Sequence, residues 1–234
     1  MNATKEIEKN TEEMKELDLE IRPATPDDFD ILTDISRVCF PEQLRWKTFK
    51  SHNRKWWDLL IKSQFCEIWV CSVYGQVIAY TAIVFDRIKY EDAWEKQRLS
   101  LLNLIYIFTT YPMQSLKRAY IKLQLKRMGK NRGTAKPSNK ETKLNTYEKI
   151  MKYFTENNPW LGPIAVLPGM RGKSVATKIL EYCLLRLKTL DYKSAYAIVK
   201  RKNIQSKGLF ERRGFVIIGE ADYVLFYKKN LDAK

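Results

Sequence analysis

Histidine is almost missing from this chain of 234 residues: His52 is the only one. A His-based metal site or a Cys-His nucleophile pair is therefore hard to build. The four cysteines, Cys39, Cys66, Cys71 and Cys183, show no C-x-x-C spacing, and each lies in or beside an apolar run. They read as reduced core thiols rather than as a disulfide framework or a metal site. Long apolar runs are absent too. The longest, Leu99 to Phe108, is about half of what a membrane-spanning helix needs. Met1 to Glu16 is charged throughout and shows no secretory pattern, so the expected location is cytoplasmic. Acidic residues are the remaining shortage, with 27 Asp and Glu against 42 Lys and Arg, for a net charge of +15.

What is present, 45% hydrophobic residues, is enough for one substantial core and too little for two comfortable ones. The expected organisation is a charged extension, 1–16, and a single domain, 17–234. The positive charge is local: from Lys96 to Asn158 fourteen Lys or Arg face three Glu (Glu141, Glu148, Glu156), a net +11. Leu116, Tyr120 and Leu123 form a helical stripe there, flanked by Lys117, Arg118, Lys122, Lys126 and Arg127. Gly129 to Lys140 has breakers and charges without periodicity and reads as a mobile loop. A basic helical insertion at about 96–158 is the expectation. Three roles stay open for it: a solvated cover over a sheet edge, peripheral contact with an anionic membrane surface, or capture of an acidic substrate. No RNA-binding motif accompanies the charge, which ranks nucleic acid last.

The remaining segments alternate in type. Leu17 to Arg22 alternates like a half-buried strand, and Thr25-Pro26-Asp27-Asp28 is a helix start with a capping hydroxyl, a first-turn proline and acids at the positive dipole end. Phe29, Ile31, Leu32, Ile35 and Val38 give a helical apolar face, and Trp46, Phe49, Trp56, Trp57, Leu60 and Ile61 give a second. Ile68 to Val73 and Val77 to Phe85 read as a hairpin around Tyr74-Gly75-Gln76. Then Pro163 to Val166, a strand-like run, feeds Leu167-Pro168-Gly169-Met170-Arg171-Gly172-Lys173-Ser174 and a helix from about Val175 to Leu190. A strand, a Gly-containing turn and a helix start aim several N–H groups at one point, which suits a phosphate. A nucleotide P-loop would end on Gly172-Lys173-Ser174, but its first glycine falls on Leu167. The next strand also ends in Lys200 rather than in an aspartate for magnesium.

The same segment resembles the coenzyme A loop of the GNAT superfamily of N-acetyltransferases, Q/R-x-x-G-x-G/A, with Arg171 first, Ser174 where glycine is usual, and Ala176 last. Asn203 to Phe215 resembles that family's N-x-x-A-x-x-x-Y-x-x-x-G-F segment. Asn203, Gly214 and Phe215 match, Ser206 replaces alanine, and Phe210 replaces tyrosine. The order of strands and helices is also the family's, and the resemblance covers about Leu17 to Glu95 and Trp160 to Lys229. It implies an α/β (α+β) fold: a mixed, mostly antiparallel sheet with helices on both faces and a splayed pair of central strands. It also implies acetyl-CoA as acyl donor, with no metal. Pantetheine would lie along the main chain of Ile164, Ala165 and Val166, and pyrophosphate on Arg171, Gly172, Lys173, Ser174, Val175 and Ala176. Asn203 would touch the pantetheine arm, and Phe210 would sit by the sulfur.

The implied function is acyl-CoA-dependent N-acetyl transfer to the amine of a small molecule or an amino sugar. Acyl transfer requires a base for the amine, polarisation of the thioester and a stable leaving thiolate. Phe210 cannot donate a proton as the family's tyrosine does. Ser206 and Tyr223 are candidate donors, and Glu42, Asp86 and Glu156 are candidate bases because they flank the segments expected to form the cleft. The rival readings are a catalytically silent coenzyme A-binding or membrane-associated module, and a long-chain acyltransferase. The oligomeric state is not legible in the sequence.

Overall fold

A computed structural model describes residues 18–43, 50–96, 109, 158–221 and 223–232, with residues 94–96 as backbone only. The basic insertion (apart from Lys96, Thr109 and Asn158), Glu156 within it, Trp46, Phe49 and the charged extension lie outside the described residues.

The chain opens with β1 (Leu19–Pro23) and a single 3-10 turn (Pro26–Asp28) that leads into α1 (Phe29–Cys39). The side chain that fixes this start is Asp28, rather than the Thr25 hydroxyl alone. It accepts from the Thr25 N–H at 2.7 Å and from both Arg22 guanidinium nitrogens at 2.8 and 2.9 Å. Burial would raise the Asp28 carboxyl, but the Arg22 hydrogen bond and the Thr25 N–H outweigh it and hold its pKa below the usual value. Along α1 the buried stripe is Phe29, Leu32, Ile35 and Ser36, whereas Val38 is 51% exposed. Ser36 takes the inward place because its hydroxyl lies 2.6 Å from the phenol of Tyr80, an oxygen pair that Val38 could not provide. α2 (Lys50–Lys62) buries Trp56, Trp57 and Leu60, and the Trp57 indole donates to Thr33 of α1 at 3.0 Å.

β2 (Cys66–Val73) and β3 (Gln76–Val84) form a hairpin closed by Tyr74 and Gly75, both at positive φ (49° and 76°), the pairing that a tight twisted turn requires. Almost every residue of both strands is buried, so they form the centre of the sheet rather than an edge. α3 (Arg87–Lys96) follows. The strand expected at 163–166 is two short strands, β4 (Trp160–Leu161) and β5 (Ala165–Val166). Next come α4 (Val175–Thr189), β6 (Ser194–Lys200), α5 (Ile204–Arg212), β7 (Val216–Ala221) and β8 (Val224–Asn230).

The eight strands make one sheet in the order β1-β2-β3-β4-β6-β8-β7, with β5 paired to β3, and the only parallel pair among the described strands is β4 with β6. This is the open, mixed, mostly antiparallel sheet expected. One face packs α1 and α2 against Ile68, Val70, Tyr80, Ala82 and Val84. The other packs α4 and α5 against residues including Ile83, Leu161, Ala197, Val199 and Tyr227. No described helix is long and apolar enough to cross a membrane.

Candidate functional site

A gap in the middle of the sheet is the feature on which the site is built. β4 pairs with both neighbours, Leu161 opposite Ile83 of β3 and opposite Ala197 of β6. Beyond it the chain keeps only the β3 side: Ala165 lies opposite Tyr80, and Val166 opposite Ala79. β6 meanwhile runs on through Ile198, Val199 and Lys200, paired to β8 alone. The cause is countable. Gly162 N–H donates to Ala82 O at 2.7 Å, and Ala165 faces Tyr80, so three residues advance on one strand against two on the other. The extra residue is a β-bulge, which bends the strand, and Pro163 inside it has no N–H to pair. Gly162 is required for the close approach, since a Cβ there would sit 2.9 Å from the Ala82 Cβ.

β5 is therefore left with one edge facing the gap. Leu167 N–H donates to Ile78 O at 3.0 Å, so Leu167 and Ala165 turn their main-chain groups to β3. By the alternation of an antiparallel ladder, Ile164 and Val166 turn theirs to the gap. The Val166 carbonyl is engaged there, accepting from the Arg171 Nε at 3.1 Å and from the Cys39 thiol at 3.3 Å. Arg171, expected as the first phosphate-loop residue, thus ties the loop back onto the strand.

The loop itself is a left-handed nest. Gly172 has φ of 79°, and Ser174, immediately before α4, has φ of 59° and ψ of 5°. The position where the family pattern has glycine is therefore one that uses glycine's freedom, and serine adopts the same conformation at a cost of about 1–2 kcal/mol. The first N–H groups of α4 lie before any intrahelical acceptor. No side chain caps them and no acid stands in the first turn, so the loop presents backbone N–H groups and a positive dipole end together.

Across the gap, Asn203 and Phe210 hold α5. Asn203 Oδ1 accepts from Ser206 N–H at 3.0 Å and caps the helix, which leaves its amide NH2 for other contacts. Phe210 is 5% exposed, packed edge-on against Phe215 and stacked on Tyr227. Tyr227 is a hydroxyl that sequence reasoning passed over. It donates to Glu211 at 2.8 Å, and burial together with that hydrogen bond pushes its pKa up to about 12.

The candidate bases separate clearly. Asp86, two residues past the end of β3, accepts from Lys89 N–H at 3.0 Å and from Lys89 Nζ at 2.9 Å and starts α3. Glu42, just after α1, accepts from Lys200 Nζ at 2.7 Å. Burial would raise its carboxyl, but the Lys200 hydrogen bond outweighs that and leaves the pKa below the usual value. Ser206 sits half-buried in the first turn of α5, and Tyr223 is 70% exposed between β7 and β8, with its carbonyl accepting from Arg201 N–H at 2.7 Å.

Cys66, Cys71 and Cys183 are buried and their thiol pKa values are raised, to about 11 for Cys71 and about 12 for Cys183. Cys39 departs from the expected core thiols in being half-buried beside the gap. The contacts of Glu42 with Lys200 and of Cys39 with Val166 join residues 158 and 127 positions apart, so no local pattern could have announced them. Among the described residues no group of three His, Cys, Asp or Glu side chains could hold a metal ion.

Comparison with known proteins agrees with this architecture. The family model described as "Acetyltransferase (GNAT) family" matches residues 134–215, a span that begins inside the expected insertion and takes in both motifs. An N-acetyltransferase from Staphylococcus aureus Mu50 superposes with a TM-score of 0.53 at 14% identity, covering 92% of this chain and 99% of its own. The PaiA N-acetyltransferase from Thermoplasma acidophilum, solved in complex with coenzyme A, gives 0.52 at 11%, covering 91% and 98%. The ribosomal-protein-S18-alanine N-acetyltransferase from Escherichia coli gives 0.51 at 11%, covering 92% and 96%. No curated protein matches the sequence. Residues 134–215 are thus similar in sequence to the GNAT acetyltransferase family, and the described chain shares the fold of these N-acetyltransferases.

Proposed function

We propose that this chain transfers acetyl from acetyl-CoA to the primary amine of a small molecule, amino sugars included, within the gap between β5 and β6. The observation that carries the reading is the bulged strand leading straight into the uncapped, left-handed start of α4. A single slot thereby offers main-chain groups of Ile164 and Val166 to a pantetheine arm and, one loop later, the N–H groups from Gly172 to Ala176 to its pyrophosphate, the Arg171 N–H being held by the Pro168 carbonyl at 3.2 Å. Glu42 is the base this reading favours over Asp86. Asp86 pairs with Lys89 of its own helix, whereas Glu42 meets Lys200 at the end of β6, a wall of the gap, and its lowered pKa keeps it ionised. It would accept the proton of an acceptor amine, the nitrogen would attack the thioester carbonyl, and the C–S bond would break. A thiol of pKa about 8.5 leaves tolerably as thiolate near neutral pH, which limits the penalty for having phenylalanine at 210 to about 2 kcal/mol.

Thermal unfolding with acetyl-CoA and with magnesium-ATP, paired with thiol release across an amine panel, tests the proposal. Acetyl-CoA at about a hundred times its dissociation constant should stabilise the protein by about 2.7 kcal/mol, with no shift from magnesium-ATP, and thiol release should depend on the amine. Stabilisation by magnesium-ATP alone overturns it. Stabilisation by acetyl-CoA with no thiol release for any amine points instead to a silent coenzyme A-binding module.

A further inference from the structure

The pair Glu42–Lys200 lies where the two walls of the gap meet the solvent. The Cys39 thiol on the Val166 carbonyl seats the end of α1 against β5, and three residues later Glu42 reaches Lys200, the last residue of β6. The bridge therefore links the end of α1, seated on β5, to the strand β6 that β5 no longer pairs with. It is also an exposed bridge, with the two side chains 60% and 54% accessible, so opening it costs little. Nothing in the packing of the sheet needs it.

We infer that this pair is a receptor for a zwitterionic acceptor: an amine that carries a carboxylate or phosphate a few bonds away, as in a small amino acid. The inference rests on the proposed acetyl transfer and names its substrate class. In the unliganded protein the Lys200 ammonium sits against Glu42 as the acceptor's ammonium would. When the acceptor enters, its ammonium takes Glu42, and Lys200 is released 2.7 Å away. A plain amine or a diamine leaves that lysine facing a second cation, with Glu42 its only ion-pair partner among the described residues. A zwitterion supplies the missing anion, so both members of the bridge exchange partners and neither is left unpaired. The acetyl step then balances as in any amine acetylation, with the N–C bond formed, the C–S bond broken, and the amine proton passed through Glu42 to solvent.

The test compares β-alanine, β-alaninamide and 1,3-diaminopropane as acceptors for the full chain and for Lys200→Gln and Lys200→Glu. Wild type should favour β-alanine over the diamine by about tenfold in kcat/KM. Lys200→Gln should flatten that ratio, and Lys200→Glu should turn it toward the diamine, while acetyl-CoA affinity holds. Intrinsic amine reactivity cancels because each ratio is compared between variants. Titration of β-alanine into the coenzyme A-loaded protein should show binding that weakens in Lys200→Gln, independent of turnover. Thiol release with equal or greater preference for the diamine in wild type, or a preference unchanged in Lys200→Gln, overturns the receptor and leaves the acetyl transfer standing. If coenzyme A neither binds nor is released, the acetyl-transfer reading falls and the receptor falls with it.

Discussion

The two walls of the gap are built on opposite plans. On one side β5 and the loop before α4 expose backbone, with N–H and C=O groups turned outward, two left-handed residues, and side chains such as Arg171 and Cys39 that serve the main chain rather than the core. On the other side α5 spends its specific residues on its own folding: the exposed Asn203 caps its own helix, and Phe210 is part of the apolar core. Equivalent-looking sequence motifs therefore do unequal jobs. One wall is specified by backbone conformation, which tolerates serine for glycine. The other is specified by packing, which tolerates phenylalanine for tyrosine because the ring, and not the hydroxyl, holds the helix to the sheet.

The sharpest way to break this contrast is Phe210→Ala. If α5 is held by packing, the loss should be about 3–5 kcal/mol in denaturant unfolding, whereas Arg171→Ala, at the surface of the opposite wall, should stay within about 1 kcal/mol. Comparable losses for the two would erase the distinction.

Glu42→Gln probes the charge that ties the walls together. It should lower kcat about 100-fold with acetyl-CoA affinity unchanged, as read by steady-state kinetics and titration. The sign of the pH effect follows from the lowered carboxyl pKa of the unliganded protein: the base works while ionised, so wild-type kcat/KM falls only as pH drops through that depressed value. Removing the ammonium with Lys200→Gln lets the carboxyl return toward an ordinary glutamate, about 4.3, and the acidic limb of the pH–rate profile should move up accordingly. An acidic limb that stays in place would detach Glu42 from catalysis.

The smallest effects belong to the backbone wall. Ser174→Val places a β-branched residue at φ of 59° and should cost about 1–2 kcal/mol and weaken acetyl-CoA binding. Ser174→Gly should stay within about 1 kcal/mol of wild type in stability, since relieved strain is offset by a freer unfolded chain. Equal behaviour of valine and glycine would mean that the left-handed geometry is immaterial.

Much of this was legible in the sequence where the determinant is local. The order of strands and helices followed from periodicity, the hairpin from Tyr74-Gly75, and the phosphate-type loop from a strand, a glycine turn and a helix start. Val38 was misplaced because a hydrophobic face on a helical wheel cannot know that Ser36 will meet a tyrosine hydroxyl on a strand 44 residues away. The split of the strand at 160–166 was unreadable for a different reason. A bulge is a mismatch between two strands, and a single strand's sequence holds only half of the count. Glu42 and Asp86 looked alike as surface acids flanking expected cleft segments, and only the fold separates the one that caps a helix from the one that meets Lys200.

The bulge at Pro163 has a consequence for the protein's behaviour in a crowded solution. Unpaired strand edges ordinarily recruit other chains and seed aggregation, and proteins blunt them with charge, proline or a covering loop. Here the strand edge at Ile164 and Val166, its Val166 carbonyl met only by the side chains of Arg171 and Cys39, lies in the interior of a sheet, flanked by β3 on one side and confronted by β6 on the other. A slot bounded by two strands of its own sheet admits a thin, flexible chain and refuses a folded partner's edge. Backbone at the gap is thereby less open to a folded partner than the outer strands β1 and β7.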